Sequence, residues 1–217
     1  MKVNIKKAGR KRTYNLVNSW AEVTLEKWIK LIALEEGSNT KEAQETIALL
    51  SDIPDKLINE LSLRDIVLIM EKIANLDSEK ESILKKVIEI DGVEYGMHPD
   101  LSEITLGEYA DIETLIKLGL NKNLPDLMAI LFRKVTERNG KAYTIEAYDG
   151  NISIRAETMK KMTAEQVKST LFFFYNFVTA LSKIMPSFLI QRKQEIAEQL
   201  RMATLRNDGA GSESYTG

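Results

Sequence analysis

The chain has 217 residues, 44% hydrophobic and 29% charged, with a net charge of −2; this suits a folded globular protein and gives no global pull toward nucleic acid or an anionic membrane. With no cysteine and one histidine, His98, it can build no disulfide, thiolate zinc site, iron–sulfur cluster, cysteine nucleophile or HExxH metal site, and no metal or cofactor is expected. No apolar run approaches the ~18–20 residues that span a bilayer, and the basic start MKVNIKKAGRKR lacks the apolar segment of a secretory signal; no membrane partner is expected, and the absence of cysteine fits a reducing cytoplasm.

The first predicted element is a β-hairpin, with strands Val3–Ile5 and Thr13–Leu16 around the KKAGRKR turn. Lys6, Lys7, Arg10, Lys11 and Arg12 place five positive charges in seven residues. Such a turn could contact phosphates, with Lys7, Arg10, Lys11 and Arg12 as the candidate nucleic-acid contacts. It could equally be a solvated tip or meet an acidic protein face, and no RNP-type aromatics or helix-turn-helix spacing favour nucleic acid. Thr24 then sits where an N-cap belongs, and Leu25, Trp28, Ile29, Ile32 and Ala33 form one face of a helix that Gly37 would end. A second helix is expected over about 40–51. A third opens at Ser62, with Asp65 three residues on.

A second hairpin follows, Val87–Ile90 and Glu94–Met97 around Asp91-Gly92, a turn pair that tolerates positive φ. His98 comes next in GMHPD, in a loop before a proline, and reads as structural; pairing with a serine in a hydrolase is the alternative it leaves. Thr105 and Glu108 form a T-x-x-E capping box ahead of Ile112, Leu115 and Ile116, and Gly119 closes that helix. The next helix is expected over about 124–137, with Pro125 in its first turn. Alternation in AYTIEAY and ISIRA around Asp149-Gly150-Asn151 predicts an inserted hairpin near 141–155. Thr163 and Gln166 cap another helix.

That helix carries TLFFFYNFVTALSKIM, apolar nearly all round, and such a helix is buried or covered by a partner. Phe172 and Tyr175 share one face; Phe173, Phe174 and Phe177 cover the rest, so the two sides can serve different neighbours. Pro186 interrupts it. An amphipathic helix over Ser187–Arg206, with Phe188 and Leu200 among its apolar residues, leads to a small, polar tail. The candidate partner interface is Phe172, Phe173, Tyr175, Phe177, Phe188 and Leu200.

No reaction is named by these residues. Glu22, Glu103, Asp111 and Glu113 could be imagined as acid and base, but Glu22 and Glu103 sit just before helix starts, where the helix dipole favours a carboxylate. GxGxxG, GxxxxGK[ST] and GxSxG are all absent. The protein is expected to be no enzyme.

The chain reads as built twice. Tyr14, Trp20, Thr24, Leu25, Trp28 and Leu31 fall over Tyr95, Leu101, Thr105, Leu106, Tyr109 and Ile112, and IALL at Ile47 falls over MAIL at Met128, all at an offset of 81. After an insertion in the second half, INELSLRDI from Ile58 falls over MKKMTAEQV from Met159 at an offset of 101. One register held across several elements predicts an internal duplication. The expected fold is α+β and predominantly helical: a hairpin plus three helices over 1–80, the same unit over 81–185, a C-terminal helix over 186–206 and a tail over 207–217. The copies are expected to pack with pseudo-twofold symmetry.

Three passages, SDIPDKLINELSLRDIVLIMEKI, SEITLGEYADIETLI with LPDLMAILFRKV, and MKKMTAEQVKSTLFFFYNF, resemble structural proteins of tailed bacteriophages, namely tail or baseplate assembly proteins and small virion components, including those of crAss-like phages. The resemblance rests on apolar pattern and capping residues over about residues 14–184. It implies a non-enzymatic role in building or holding together a phage particle, as a tail, baseplate or portal-region component or its assembly factor. It further implies other phage structural proteins as partners, a homo-oligomer or ring, and a place in the virion or in the host cytoplasm during assembly. The alternative is a nucleic-acid-associated protein using the basic hairpin.

Overall fold

The first residues already alternate between a buried and an exposed face, as a half-covered strand must. In this computed structural model, which describes residues 1–7, 10–36, 39–76, 83–177 and 179, β1 (Lys2–Lys7) pairs antiparallel with β2 (Arg10–Asn15). Val3 and Ile5 turn inward while Lys2, Asn4 and Lys6 face solvent. Contact density divides the chain into two compact units, Met1–Leu171 and Phe172–Gly217.

Within Met1–Leu171 the hairpin leads through a 3₁₀ turn (Trp20–Glu22) to α1 (Leu25–Ile32), α2 (Asn39–Leu50), α3 (Asp55–Ile58) and α4 (Leu63–Ala74). Thr24 caps α1 by accepting from the Lys27 N–H, and Ser62 caps α4 by accepting from the Asp65 N–H, so two otherwise unpaired first-turn donors are satisfied. Val3, Ile5, Leu16, Ile47, Leu50, Ile58 and Ile69 meet in one core, and Ala164 closes it from far along the chain. Gly37, expected to end α1, lies outside the described residues.

A four-stranded antiparallel sheet follows, in the order β3 (Val87–Ile90), β4 (Val93–Met97), β5 (Phe132–Asn139), β6 (Ala142–Ile145). Asp91 and Gly92 both take positive φ in the turn between β3 and β4, as expected for an Asp-Gly hairpin. Between β4 and β5 lie a 3₁₀ turn (Leu101–Glu103), α5 (Leu106–Lys117) with its full Thr105–Glu108 capping box, and α6 (Leu124–Leu131). Gly119 follows α5 at φ +99°, its N–H donating to the Ile116 carbonyl, which ends the helix as expected. Then come α7 (Ile152–Met159) and α8, helical over 164–177. Thr163 and Gln166 satisfy each other's backbone N–H at the start of α8.

Two expectations are corrected. The helix from Leu124 stops at Leu131, and 132–139 is a strand. Met97, Gly96 and Tyr95 of β4 take Phe132, Arg133 and Lys134 as ladder partners, and pairing to an open sheet edge outweighs the helical reading of FRKVTERN. The inserted hairpin therefore joins β5 to β6, turning at Asn139-Gly140-Lys141 with Gly140 at φ +61°. ISIRA is not its second strand; it belongs to α7. Asp149 accepts from the Asn151 N–H and holds the chain in a tight turn that feeds this helix. The fold is α+β and predominantly helical, with two small antiparallel sheets.

Gly96 is required by a close approach. Tyr143 reaches from β6 over β4 and donates its hydroxyl to the Met97 carbonyl at 2.7 Å. A Cβ on Gly96 would stand 2.5 Å from the ring of Tyr143.

Candidate interaction surfaces

A buried charged group would be the place to look for chemistry. Glu108, 1% exposed, lies in the first turn of α5, with Arg133 on β5 and His98 just after β4 beside it. The Arg133 guanidinium stands 2.8 Å from Glu108 Oε1, outside hydrogen-bond angles, and His98 Nε2 is 3.9 Å from the same oxygen. The other carboxylate oxygen accepts from the Thr105 N–H and hydroxyl. Burial works to raise the Glu108 pKa; the Thr105 hydrogen bonds and the charges of Arg133 and His98 outweigh it, and the pKa is lowered. Burial also lowers the pKa of Arg133, against the pull of Glu108.

The group continues outward. Tyr148 donates its hydroxyl to Asp111, and burial followed by that bond raises its pKa. Arg133 and Arg155 both lie over the Tyr148 ring, at 5.7 and 6.0 Å from its centre. Arg155 also donates to Asp149 at 2.8 Å, holding that carboxyl down to about 2. Acids and bases thus face each other across α5, β5, α7 and the loop before it. Among the described residues no serine hydrogen-bonds to His98, and no group of three His, Cys, Asp or Glu could hold a metal ion. The other acids singled out in the sequence have local partners too: Glu22 accepts from the Asn18 N–H and amide, which lowers its pKa, and Glu113 pairs with Lys117 at 3.2 Å. Glu103 is exposed on its 3₁₀ turn.

Of the basic hairpin residues, Lys11 and Arg12 are exposed on β2, and Lys7 and Arg10 are backbone partners at the end of the ladder. Of the aromatic candidates, Phe172, Phe173 and Tyr175 are exposed, Phe177 is half-buried and Phe174 is buried. Phe188 and Leu200 lie outside the described residues. An open cleft of about 430 Å³ beside α1, α6 and α7 is lined by Glu26, Asp126 and Glu157 and by Lys30, Lys122 and Lys160. Its charges balance, Glu26 with Lys30 and Glu157 with Lys160 in direct contact, so it presents no net field to a charged ligand.

The contact that sequence reasoning missed joins two helix starts. Thr24, the N-cap of α1, and Thr163, at the start of α8, form an antiparallel bridge. The Leu25 N–H donates to the Met162 carbonyl and the Ala164 N–H to the Val23 carbonyl, both at 2.7 Å; the Glu26 N–H donates to the Lys160 carbonyl at 3.1 Å. Val23, Leu25, Met162 and Ala164 are all fully buried there. Lys168 lies 5.5 Å from the centre of the Trp20 ring alongside. Pseudo-twofold packing would require a second bridge between Thr105 and Ser62. None is present among the described residues; instead Leu106 and Leu63, which follow those caps, are 84% and 82% exposed.

Comparison with protein-family models, with curated proteins and with solved structures found no match. No described helix is long and apolar enough to cross a membrane.

Proposed function

We propose that this chain is a non-enzymatic structural or assembly protein of a tailed-bacteriophage particle, a tail, baseplate or portal-region component or its assembly factor. It acts through contacts with other particle proteins and with its own copies, in the virion or in the host cytoplasm during assembly. The observation that carries this reading is the exposure of large apolar side chains on well-capped helices: Leu63, Val67, Leu106, Phe172 and Tyr175 are each more than half exposed. Apolar surface of that kind on a folded protein marks a place where another protein docks. The self-neutralised charges around Glu108 and in the cleft support contact rather than chemistry.

We further infer that residues 1–80 and 81–185 are two diverged copies of one hairpin-and-helices repeat. Matched backbone bonds support this. The Val17 N–H donates to the Leu50 carbonyl, and at an offset of 81 the His98 N–H donates to the Leu131 carbonyl. Leu16 bridges Ser51, and Met97 pairs with Phe132. The 3₁₀ turns Trp20–Glu22 and Leu101–Glu103 and the ends of α2 and α6 keep this offset. The ends of α3 and α7 and the starts of α4 and α8 keep the offset of 101.

Mass spectrometry of purified particles and of assembly intermediates tests the function. The chain should be found in one or both, with other structural proteins. Its absence from both, together with salt-sensitive DNA binding that needs Lys11 and Arg12, would replace this reading with the nucleic-acid one.

A further inference from the structure

Each of the two inferred copies carries one edge of each kind used in the Thr24–Thr163 contact, yet only one edge of each kind is used. The edge Val23–Thr24–Leu25 of the first copy takes Met162–Thr163–Ala164 of the second. The matching edge of the second copy, Ile104–Thr105–Leu106, and that of the first, Leu61–Ser62–Leu63, are left over. We propose that copies of this chain join head to tail by making the same contact between molecules, the Thr105–Leu106 edge of one pairing with the Ser62–Leu63 edge of the next. This rests on the duplication reading above.

The backbones of the leftover edges are already set. Thr24, whose contact is made, has φ −73° and ψ 155°; Thr105 has −69° and 158°, and Ser62 has −71° and 155°. The bonds that would form follow by position: the Leu106 N–H to the Leu61 carbonyl, the Leu63 N–H to the Ile104 carbonyl, and the Gly107 N–H to the Asn59 carbonyl. Among the described residues none of these six groups has a hydrogen-bond partner. The N–H groups belong to helix first turns, which have no acceptor within their own helix.

The side chains differ from the internal contact in the direction a contact between molecules needs. Where the internal contact has Ala164, the free edge has the larger Leu63. Glu26 and Lys160 are replaced by the uncharged Gly107 and Asn59, and Lys168 by Val67, which is 54% exposed. Interface cores are poor in charge and well filled by apolar groups. Exposure agrees: Leu25 and Ala164 are fully buried, whereas Leu106 and Leu63 are almost fully exposed. In a head-to-tail contact each molecule keeps one free edge of each kind, so the assembly does not close at two molecules but continues to a ring or an open filament.

Light scattering on the full chain tests this with Leu63→Asp and Leu106→Asp. Both positions are exposed, and an acidic residue in a helix first turn suits the dipole, so far-UV spectrum and melting temperature should be unchanged. The wild-type mass should rise with concentration past that of a dimer. Each variant alone should stay a monomer. Mixed, the two should form a one-to-one complex, because Leu63→Asp keeps the Thr105–Leu106 edge and Leu106→Asp keeps the Ser62–Leu63 edge. A reciprocal twofold pairing of the same edges would instead hold the wild type at a dimer. A wild type that stays monomeric at its highest soluble concentration, variants that still oligomerise, or a mixture that stays monomeric would each overturn the proposal. If the chain is found in particles but does not self-associate, the joint fails and the assembly reading stands; if it self-associates but is absent from particles, the reverse holds.

Discussion

Thr24 and Thr163 each stand at the start of a helix and bridge each other through the backbone. The bridge gives first-turn N–H groups of both helices a carbonyl partner and seals Leu25 and Ala164 from water. Leu25 is therefore buried, while Leu106, which follows the same kind of cap, is exposed. Leu25→Ala should cost the dilute chain about 3 kcal/mol, as expected for a fully buried leucine. Leu106→Ala should change it by less than about 0.5 kcal/mol. Chemical denaturation at low protein concentration measures both.

Glu108 and Arg133 form a buried ion pair, so removing one partner leaves the other uncompensated. Arg133→Met should destabilise the chain by about 3–5 kcal/mol, and adding Glu108→Gln should recover part of that loss. The double variant keeps a hydrogen-bond acceptor for the Thr105 N–H, so a failure to recover would show that packing rather than charge balance holds these residues.

Acid sensitivity should follow the same pair. Folding lowers the Glu108 carboxyl below its usual 4.5, so the folded chain gives up this proton more readily than the unfolded one. Its contribution to stability is complete above about pH 4.5 and is lost as pH falls through the lower folded value. Melting temperature against pH should therefore drop on the acid side, and Glu108→Gln should flatten that limb.

Gly96→Ala should force the Tyr143 ring aside and break its bond to the Met97 carbonyl, at a cost of about 1–3 kcal/mol. Tyr143→Phe, which loses only the hydrogen bond, should cost about 1 kcal/mol. If Gly96→Ala costs no more than Tyr143→Phe in denaturation, the close approach does not constrain this strand.

What was legible in the sequence was local. Thr24, Ser62, Thr105 and Thr163 announced helix starts because a cap and its N–H partner lie three residues apart. Asp91-Gly92 announced a hairpin because few other pairs tolerate two positive φ angles. The strand over 132–139 has no local mark because β4 supplies its partner from far away in sequence, and Asn139-Gly140 competes with Asp149-Gly150 as a turn signal. The ties of Glu108 to Arg133 and His98 join residues far apart in the chain and have no local mark. Nor could the cap residues reveal which helix starts are covered: Leu25 and Leu106 follow the same kind of cap, and only a contact with Met162–Ala164 separates them.

Hydrogen exchange of four backbone amides tests the central claim, that this chain meets other proteins through its uncovered helix starts. Leu25 and Ala164 should be protected at every concentration. Leu63 and Leu106 should exchange freely in the dilute chain and gain protection together as the chain is concentrated or incorporated into particles. Amides of Leu63 and Leu106 that exchange freely in the assembled state as well would contradict the account.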